Sequence, residues 1–129
     1  LLMLFFTINS YADDWYQYRQ TKVITNGEEH IYQSPLIIMF RFSGNYAYRT
    51  DGNTKYVFSH QEGGNLIYYG VTYNISSGAK FSEGINKDTK LIVSPDRSTV
   101  TQYYYNYQFD KTTINVFEAG RRGDLNKIL

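Results

Sequence analysis

The chain has 129 residues, with 13 lysines and arginines against 12 aspartates and glutamates, and it has no cysteine. This length corresponds to one domain with a core of its own. The near balance of charge excludes the strongly basic surface that nucleic acids and anionic lipids select, so we expect no nucleic-acid partner. Aromatic residues make up 18% of the chain, mostly as 14 tyrosines and 8 phenylalanines. These residue types favour β-strands.

The first twelve residues differ from the rest. Leu1–Ile8 is a short apolar run, and Ser10 and Ala12 have the small side chains that precede a signal-peptidase cleavage site. The run is far shorter than the roughly 20 apolar residues that a membrane-spanning helix needs. We interpret residues 1–12 as a truncated signal peptide and expect a mature chain that begins at Asp13 and has no transmembrane segment.

The absence of cysteine bears on where the exported chain acts. A domain of this size that passes through a eukaryotic secretory pathway usually carries disulfides. Because this chain has none to form, the sequence favours a bacterial protein that is secreted, periplasmic or part of the cell envelope.

Turn-forming residues separate short runs of β-forming residues along the rest of the chain. The predicted strands are Trp15–Thr25, Ile31–Gln33, Leu36–Phe42, Tyr46–Arg49, Lys55–His60, Leu66–Asn74, Thr89–Ser94, Thr99–Phe109 and Thr112–Glu118. About eight or nine short strands at this spacing predict an all-β domain over residues 13–120, folded as a single antiparallel sandwich or a small barrel. Gly84–Asp88 is predicted as a short helical turn, and residues 121–129 as a polar, basic tail.

Two turns are predicted in more detail. Asp51-Gly52 is expected to close a hairpin in which Tyr46 and Tyr48 contact Tyr56 and Phe58 across the two strands.

Pro95 and Asp96 are expected to form the second turn. Proline fixes φ at its first position, and the aspartate carboxylate accepts from a backbone N–H two residues on.

Alternation along the strands predicts which side chains face the core. In the run from Thr99, the predicted core face carries Tyr103, Tyr105, Tyr107 and Phe109. The predicted wetter face of the same run carries Val100, Gln102, Tyr104, Asn106 and Gln108. Another strand places Leu36, Ile38, Phe40 and Phe42 together on one face.

One segment supports a resemblance. Leu91–Val100 reads Leu-Ile-Val-Ser-Pro-Asp-Arg-Ser-Thr-Val, and Trp15-Tyr16 follows the predicted cleavage site. In these features, and in its aromatic, turn-rich middle, the chain resembles small uncharacterised secreted β-rich proteins of Bacteroidota. Pro95 and the run Tyr103–Tyr105 depart from that pattern. The resemblance implies an exported β domain, and it transfers no catalytic residue because the group has no established function.

No combination of residues indicates a catalytic or metal site. His30 and His60 lie in or beside different predicted strands, and no spacing joins them to carboxylates, so we expect no metal site. Most carboxylates adjoin glycine, asparagine or serine in turns, where they are solvated. The sequence also has no serine-nucleophile motif and no phosphate-binding glycine loop. We therefore predict a protein that is not an enzyme and needs no cofactor.

Tyrosine is the residue type with functional potential, because exposed rings can stack on sugars or contact a protein partner. The alternative is that the tyrosines fill the core and its rims. The candidates for an exposed group are Tyr16, Tyr18, Tyr68, Tyr69, Tyr73 and Tyr104. They predict a domain that binds an extracellular glycan or protein through an aromatic face.

Two other functions stay open at this point. One is an envelope structural or assembly accessory protein that associates through an edge strand. The other is a lipocalin-like carrier that holds a small molecule in an apolar cavity.

Overall fold

The computed structural model of the chain describes residues 14–51, 54–76 and 80–123, and only the backbone at 73–76 and 80–82. These residues form eight β-strands: β1 (Asp14–Thr25), β2 (Glu28–Ser43), β3 (Tyr46–Arg49), β4 (Lys55–Glu62), β5 (Asn65–Ser76), β6 (Lys80–Val93), β7 (Thr99–Asn106) and β8 (Lys111–Gly123). The described part of the chain has no helix long and apolar enough to cross a membrane.

Each strand pairs antiparallel with the next, and β8 pairs with β1, so that a single sheet closes into a ring. The ring departs from a regular barrel, because β2 has 16 residues whereas its neighbour β3 has 4. The predicted all-β antiparallel fold is confirmed. Of the two architectures that the sequence left open, the structure has one closed sheet and not a sandwich.

Turn residues position the hairpins as the sequence predicts. Asn26 and Gly27, with φ of 47° and 84°, join β1 to β2. Gly63 and Gly64, with φ of 58° and 85°, join β4 to β5. Two successive residues with positive φ form the tight turn whose twist matches that of paired strands, and asparagine and glycine adopt it at the least cost.

Some strand boundaries differ from the prediction. Ile31–Gln33 and Leu36–Phe42 belong to one strand, β2. Gln20 of β1 pairs with Leu36 and Lys22 pairs with Ile31, so the residues of β2 between these two pairs, including Pro35, form a bulge. The predicted helical turn Gly84–Asp88 is wrong, since these residues lie in β6. The chain stays paired with β1 as far as Gly123, beyond the predicted end of the domain. Residues 1–13 and 124–129, with the predicted signal peptide and most of the predicted tail, lie outside the described residues.

An aromatic core fills one end of the ring. Tyr18, Phe40 and Phe117 are completely buried. The Phe40 ring meets Tyr18 edge to face at 5.6 Å between centroids and Phe117 at 5.3 Å, an arrangement that adds about 0.5–1.5 kcal/mol per pair to the burial itself. Ile38, Phe40 and Phe42 share the inner face as predicted, whereas Leu36 is 51% exposed, since it lies where β2 extends past β3.

The predicted faces of β7 are reversed. Val100 is completely buried, whereas Tyr107 and Phe109 are 73% and 72% exposed. Both exposed rings lie past the end of β7, in its turn to β8. The side chains of β7 that point into the ring are Val100, Gln102 and Tyr104. Because this row is mostly polar, its sequence resembles that of a row that faces solvent.

The hairpin around Asp51 is confirmed, with Tyr46 opposite Val57 and Tyr48 opposite Lys55. The predicted aromatic contacts across it are wrong, because Ala47 and Tyr56 are the residues that face inward as a pair. Gly52 lies outside the described residues.

The turn between β6 and β7 covers the aromatic end of the ring. The Asp96 carboxylate accepts from the backbone N–H of Ser98 at 3.0 Å, as predicted. This bond, with those from the Ser98 and Ser94 hydroxyls, holds the pKa of Asp96 below its ordinary value. Arg97 places its guanidinium 4.5 Å from the centroid of the Phe42 ring and donates to Asp14 at 3.0 Å.

Gly120 on β8 makes the tightest contact with this turn. Its N–H donates to the Ser98 carbonyl at 2.9 Å. A Cβ added there would lie 2.6 Å from the Arg97 carbonyl oxygen and would also overlap Cε1 of Tyr18. The Tyr18 hydroxyl donates to the same carbonyl at 2.8 Å. Only a residue without a side chain allows β8, Tyr18 and the turn to approach so closely.

We expect Gly120→Ala to lower the free energy of unfolding by about 3 kcal/mol, because the new methyl group overlaps a buried ring and a backbone carbonyl. Urea unfolding of the wild type and the variant measures this loss. In a Tyr18→Leu background the same substitution should cost about 1 kcal/mol less, since one of the two clashes is gone. An equal cost in both backgrounds would show that the Tyr18 ring does not require glycine at this position.

Candidate ligand-binding cavity

The end of the ring opposite the β6–β7 turn holds a cavity of about 360 Å³. Strands β3 to β8 all contribute to its lining. Of the described lining residues, only Gly70 and Val71 have no polar atom in the side chain. The lining therefore presents hydrogen-bonding groups alongside apolar surface, in contrast to the aromatic core at the other end.

The cavity forms because the inward rows of four strands change from large apolar residues to small or polar ones along the axis of the ring. Read from the core towards the cavity, the rows are Tyr68, Gly70 and Thr72 in β5, Leu91 and Thr89 in β6, Val100, Gln102 and Tyr104 in β7, and Phe117, Asn115 and Thr113 in β8. The polar half of these rows cannot fill the volume that the aromatic half fills.

A chain of hydrogen bonds forms the floor of the cavity. Gln20 Nε2 donates to Asn115 Oδ1 at 2.9 Å, and Asn115 Nδ2 donates to Gln102 Oε1 at 3.1 Å. Gln102 Nε2 in turn donates to the Tyr56 hydroxyl at 2.5 Å. We call these four residues the polar chain. Burial raises the pKa of Tyr56 above its ordinary value, so its hydroxyl stays protonated at neutral pH.

Arg49 joins the polar chain to the rim. Its Nη1 donates to Gln102 Oε1 at 2.9 Å, and its guanidinium centre lies 5.4 Å from the centroid of the Phe117 ring. Its Nε and Nη2 donate to the two Asp51 oxygens at 2.5 and 3.0 Å. These hydrogen bonds hold the pKa of Asp51 below its ordinary value, so the pair carries one positive and one negative charge at neutral pH.

Sequence reasoning identified Asp51 as a turn residue and missed Arg49 and the polar chain. In the structure Ala47 and Arg49 form the inner row of β3, and Tyr46 and Tyr48 point outward. The alternation of β3 gave no signal for this, because it favours the two tyrosines as the inner row.

The structure does not bring the six predicted tyrosines to one exposed face. Tyr18 and Tyr68 are 0% and 3% exposed, so the prediction that they are exposed is wrong: both point into the ring, where the aromatic core needs them. Tyr16 is half-buried against the same core. The side chain of Tyr73 lies outside the described residues.

The two remaining candidates, Tyr69 and Tyr104, lie apart. Tyr69 is partly buried, with its ring centroid 6.1 Å from that of His60. Tyr104, which is 43% exposed, lines the cavity. Whether any of the six tyrosines binds a ligand stays a prediction.

A different set of aromatic residues shares the outer face across β1, β2 and β3. Arg41 packs between Trp15 and Tyr48, with its guanidinium centre 5.7 and 4.2 Å from the two ring centroids. Because the guanidinium occupies the space between the rings, these residues do not form a flat open platform for a sugar.

The two histidines occupy separate places. The His30 ring meets Tyr32 on β2 at 5.4 Å, and His60 contacts Tyr69 from β4. Within residues 14–51, 54–76 and 80–123, no three histidine, aspartate or glutamate side chains group as metal ligands.

We expect Gln102→Leu to lower the free energy of unfolding by about 2–3 kcal/mol, because Arg49, Asn115 and Tyr56 each lose a hydrogen-bond partner in a buried place. The matched control is Gln108→Leu in the exposed turn after β7, which should change stability by less than about 0.5 kcal/mol. Urea unfolding measures both. Similar small effects of the two substitutions would mean that the polar chain does not stabilise the fold.

No protein-family model, curated protein or solved structure matches the chain. The resemblance to secreted Bacteroidota proteins therefore stays a prediction, and the function has to be argued from the cavity itself.

Proposed function

We propose that the chain is a binding protein that holds one small polar molecule in the cavity at the end of the ring. The observation that carries the proposal is the cavity of about 360 Å³, in which ten of the twelve described lining residues carry a hydrogen-bonding group in the side chain. Small-molecule sites in proteins span about 300–1,000 Å³. This function belongs to the carrier class that the sequence left open, with a polar cavity in place of an apolar one.

The construction of the lining supports a binding role. Gln102 and Asn115 are fixed by the hydrogen bonds of the polar chain, so their remaining polar atoms are held in place before a ligand arrives. Such preorganisation reduces the entropy that a ligand and its site lose on binding. A ring built for stability alone would continue the large apolar residues of the core into this end, because filling the space adds dispersion contacts.

Binding through an aromatic face has less support. Two of its six candidate residues, Tyr18 and Tyr68, belong to the core. Tyr104 is compatible with either function, because its ring is partly exposed and also lines the cavity.

We expect a metabolite library to contain compounds that raise the melting temperature of the wild type but not of Thr113→Trp. Thr113 lines the cavity, and a tryptophan there fills part of it. A ligand at a hundred times its Kd stabilises the folded state by about 2.7 kcal/mol, a shift of several degrees for a small domain. Thermal unfolding monitored by tyrosine fluorescence measures the change.

The matched control is Thr112→Trp, because adjacent residues in a strand point to opposite faces and Thr112 therefore lies outside the cavity. It should respond to the same compounds as the wild type. If no compound stabilises the wild type, or if the stabilisation persists in Thr113→Trp, the cavity is not a ligand site.

A second candidate function is association through β2, as in the assembly protein that the sequence left open. Strand β3 pairs only with Phe40–Ser43, so among the described residues the stretch Glu28–Ile38 has no partner on its β3 side; its β1 side is paired except at residues 32–35. Ile31 and Ile37 in this stretch are 65% and 54% exposed. A strand edge with exposed apolar side chains can add a strand from another molecule, although Pro35 removes one donor from the edge.

On this second candidate, Ile37→Lys would convert an oligomer to a monomer, because a charge enters the apolar contact. Ile85→Lys is the control, since Ile85 is 63% exposed on a different strand, β6. Sedimentation velocity over a range of concentrations measures the state of each. A wild-type chain that stays monomeric throughout rules out self-association through β2.

A further inference from the structure

The charges around the cavity select against ionic ligands. Arg49 is the one side chain in the described lining with a formal charge at neutral pH, and Asp51 pairs with it through two hydrogen bonds. An anion that approaches Arg49 has to replace or accompany a carboxylate that is already in place. A cation finds no acidic group in the described lining. An uncharged ligand meets neither cost.

The hydrogen bonds already made in the cavity define what a ligand can still form. Gln102 Oε1 accepts from both Arg49 and Asn115, so its acceptor capacity is used. Each of the two amide groups, Gln102 and Asn115, donates one N–H within the polar chain and retains another. Arg49 uses three of the five N–H donors of a guanidinium. The fixed part of the site therefore offers more donors than acceptors.

Outside the polar chain and Arg49, most of the lining residues carry hydroxyl groups, which can donate or accept, and Asn86 adds a further amide. The hydroxyl groups belong to Thr54, Thr72, Thr89, Thr113 and Tyr104. A ligand hydroxyl is matched to both sets, because its oxygen accepts from the amides and the guanidinium while its proton reaches a threonine oxygen. A ligand with several hydroxyls uses more of this lining than a ligand with one carbonyl.

Size and shape restrict the ligand further. The cavity of about 360 Å³ has room for about a dozen water molecules at roughly 30 Å³ each, a space that accommodates one sugar ring. Tyr104 presents a partly exposed ring to this space. The C–H face of a sugar packs against such a ring.

We infer that the ligand is an uncharged polyhydroxyl molecule of monosaccharide size. Its hydroxyls bind the donors of Arg49, Gln102 and Asn115, and one face lies against Tyr104. This inference rests on the proposed function and adds the chemical class of the ligand.

Two sets of probes test the class of ligand. The neutral set is D-glucose, D-galactose, D-mannose, D-ribose and myo-inositol, and the anionic set is pyruvate, succinate and benzoate. Saturation-transfer NMR and calorimetry on the full chain should detect binding from the neutral set and none from the anionic set. Tyr104→Ala should weaken that binding at least about tenfold, a change of about 1.4 kcal/mol. Tyr107→Ala is the control, because Tyr107 is 73% exposed in the turn after β7, and it should bind as the wild type does.

The variant Asp51→Asn provides a second test, in which we expect anionic probes to bind more tightly than they bind to the wild type. Removing the carboxylate leaves Arg49 without its counter-charge, so carboxylate probes should gain binding by at least about tenfold, whereas the neutral probes should change little. Circular dichroism of the variant checks that the fold is retained.

The outcomes separate this inference from the proposed function. If the wild type binds the carboxylates in preference to the neutral probes and Thr113→Trp abolishes that binding, the ligand class is wrong and the proposed function stands. If neither probe set binds but library compounds bind in the cavity, the class is again wrong. If neither the probes nor the library bind, both proposals fail.

Discussion

The requirement that buried polar groups be hydrogen-bonded governs the interior of this protein. Gln20, Asn115, Gln102 and Tyr56 come from four different strands and satisfy one another across the ring. An amide left without a partner there costs about 1–3 kcal/mol, so the strands that carry these residues have to keep their register. The polar chain thus separates two parts of the interior: an aromatic core on one side and a cavity lined mostly by polar residues on the other.

The aromatic core supplies stabilising contacts that the cavity end of the ring lacks. Tyr18, Phe40, Phe117 and their neighbours form one buried cluster, and the turn that carries Arg97 covers their outer end. Because the stabilising contacts are concentrated in this half, the other half can hold small residues such as Gly70 and Thr113 where a core would require large ones. The main stabilising contacts and the candidate site therefore lie at different ends of the same sheet.

Local chemistry made the strands and most turns predictable. The turn at Asn26-Gly27 and the hydrogen bond of the Asp96 carboxylate involve residues that are close in sequence, so the local sequence specifies their geometry. The faces of β7 were not predictable in this way. Its inward row passes from Val100 to Gln102 because the interior itself changes from apolar to polar, a property of the closed ring that no single strand reveals. Arg49 was also missed, because an arginine next to a turn is ordinarily solvated and only the closed ring places this one at the cavity.

Strand β3 is short, so few residue pairs hold it to its two neighbours. Four residue pairs join β3 to β2 and three join it to β4, whereas β1 and β2 share eleven. Local opening follows the segment with the fewest interactions to break, so the β3–β4 hairpin is where we expect the sheet to part at the lowest free energy. Arg49 is the last residue of β3, and Asp51 lies in the turn of the same hairpin. Opening of this hairpin would displace the wall that carries the Arg49–Asp51 pair, so we expect the shape of the cavity to vary most on this side.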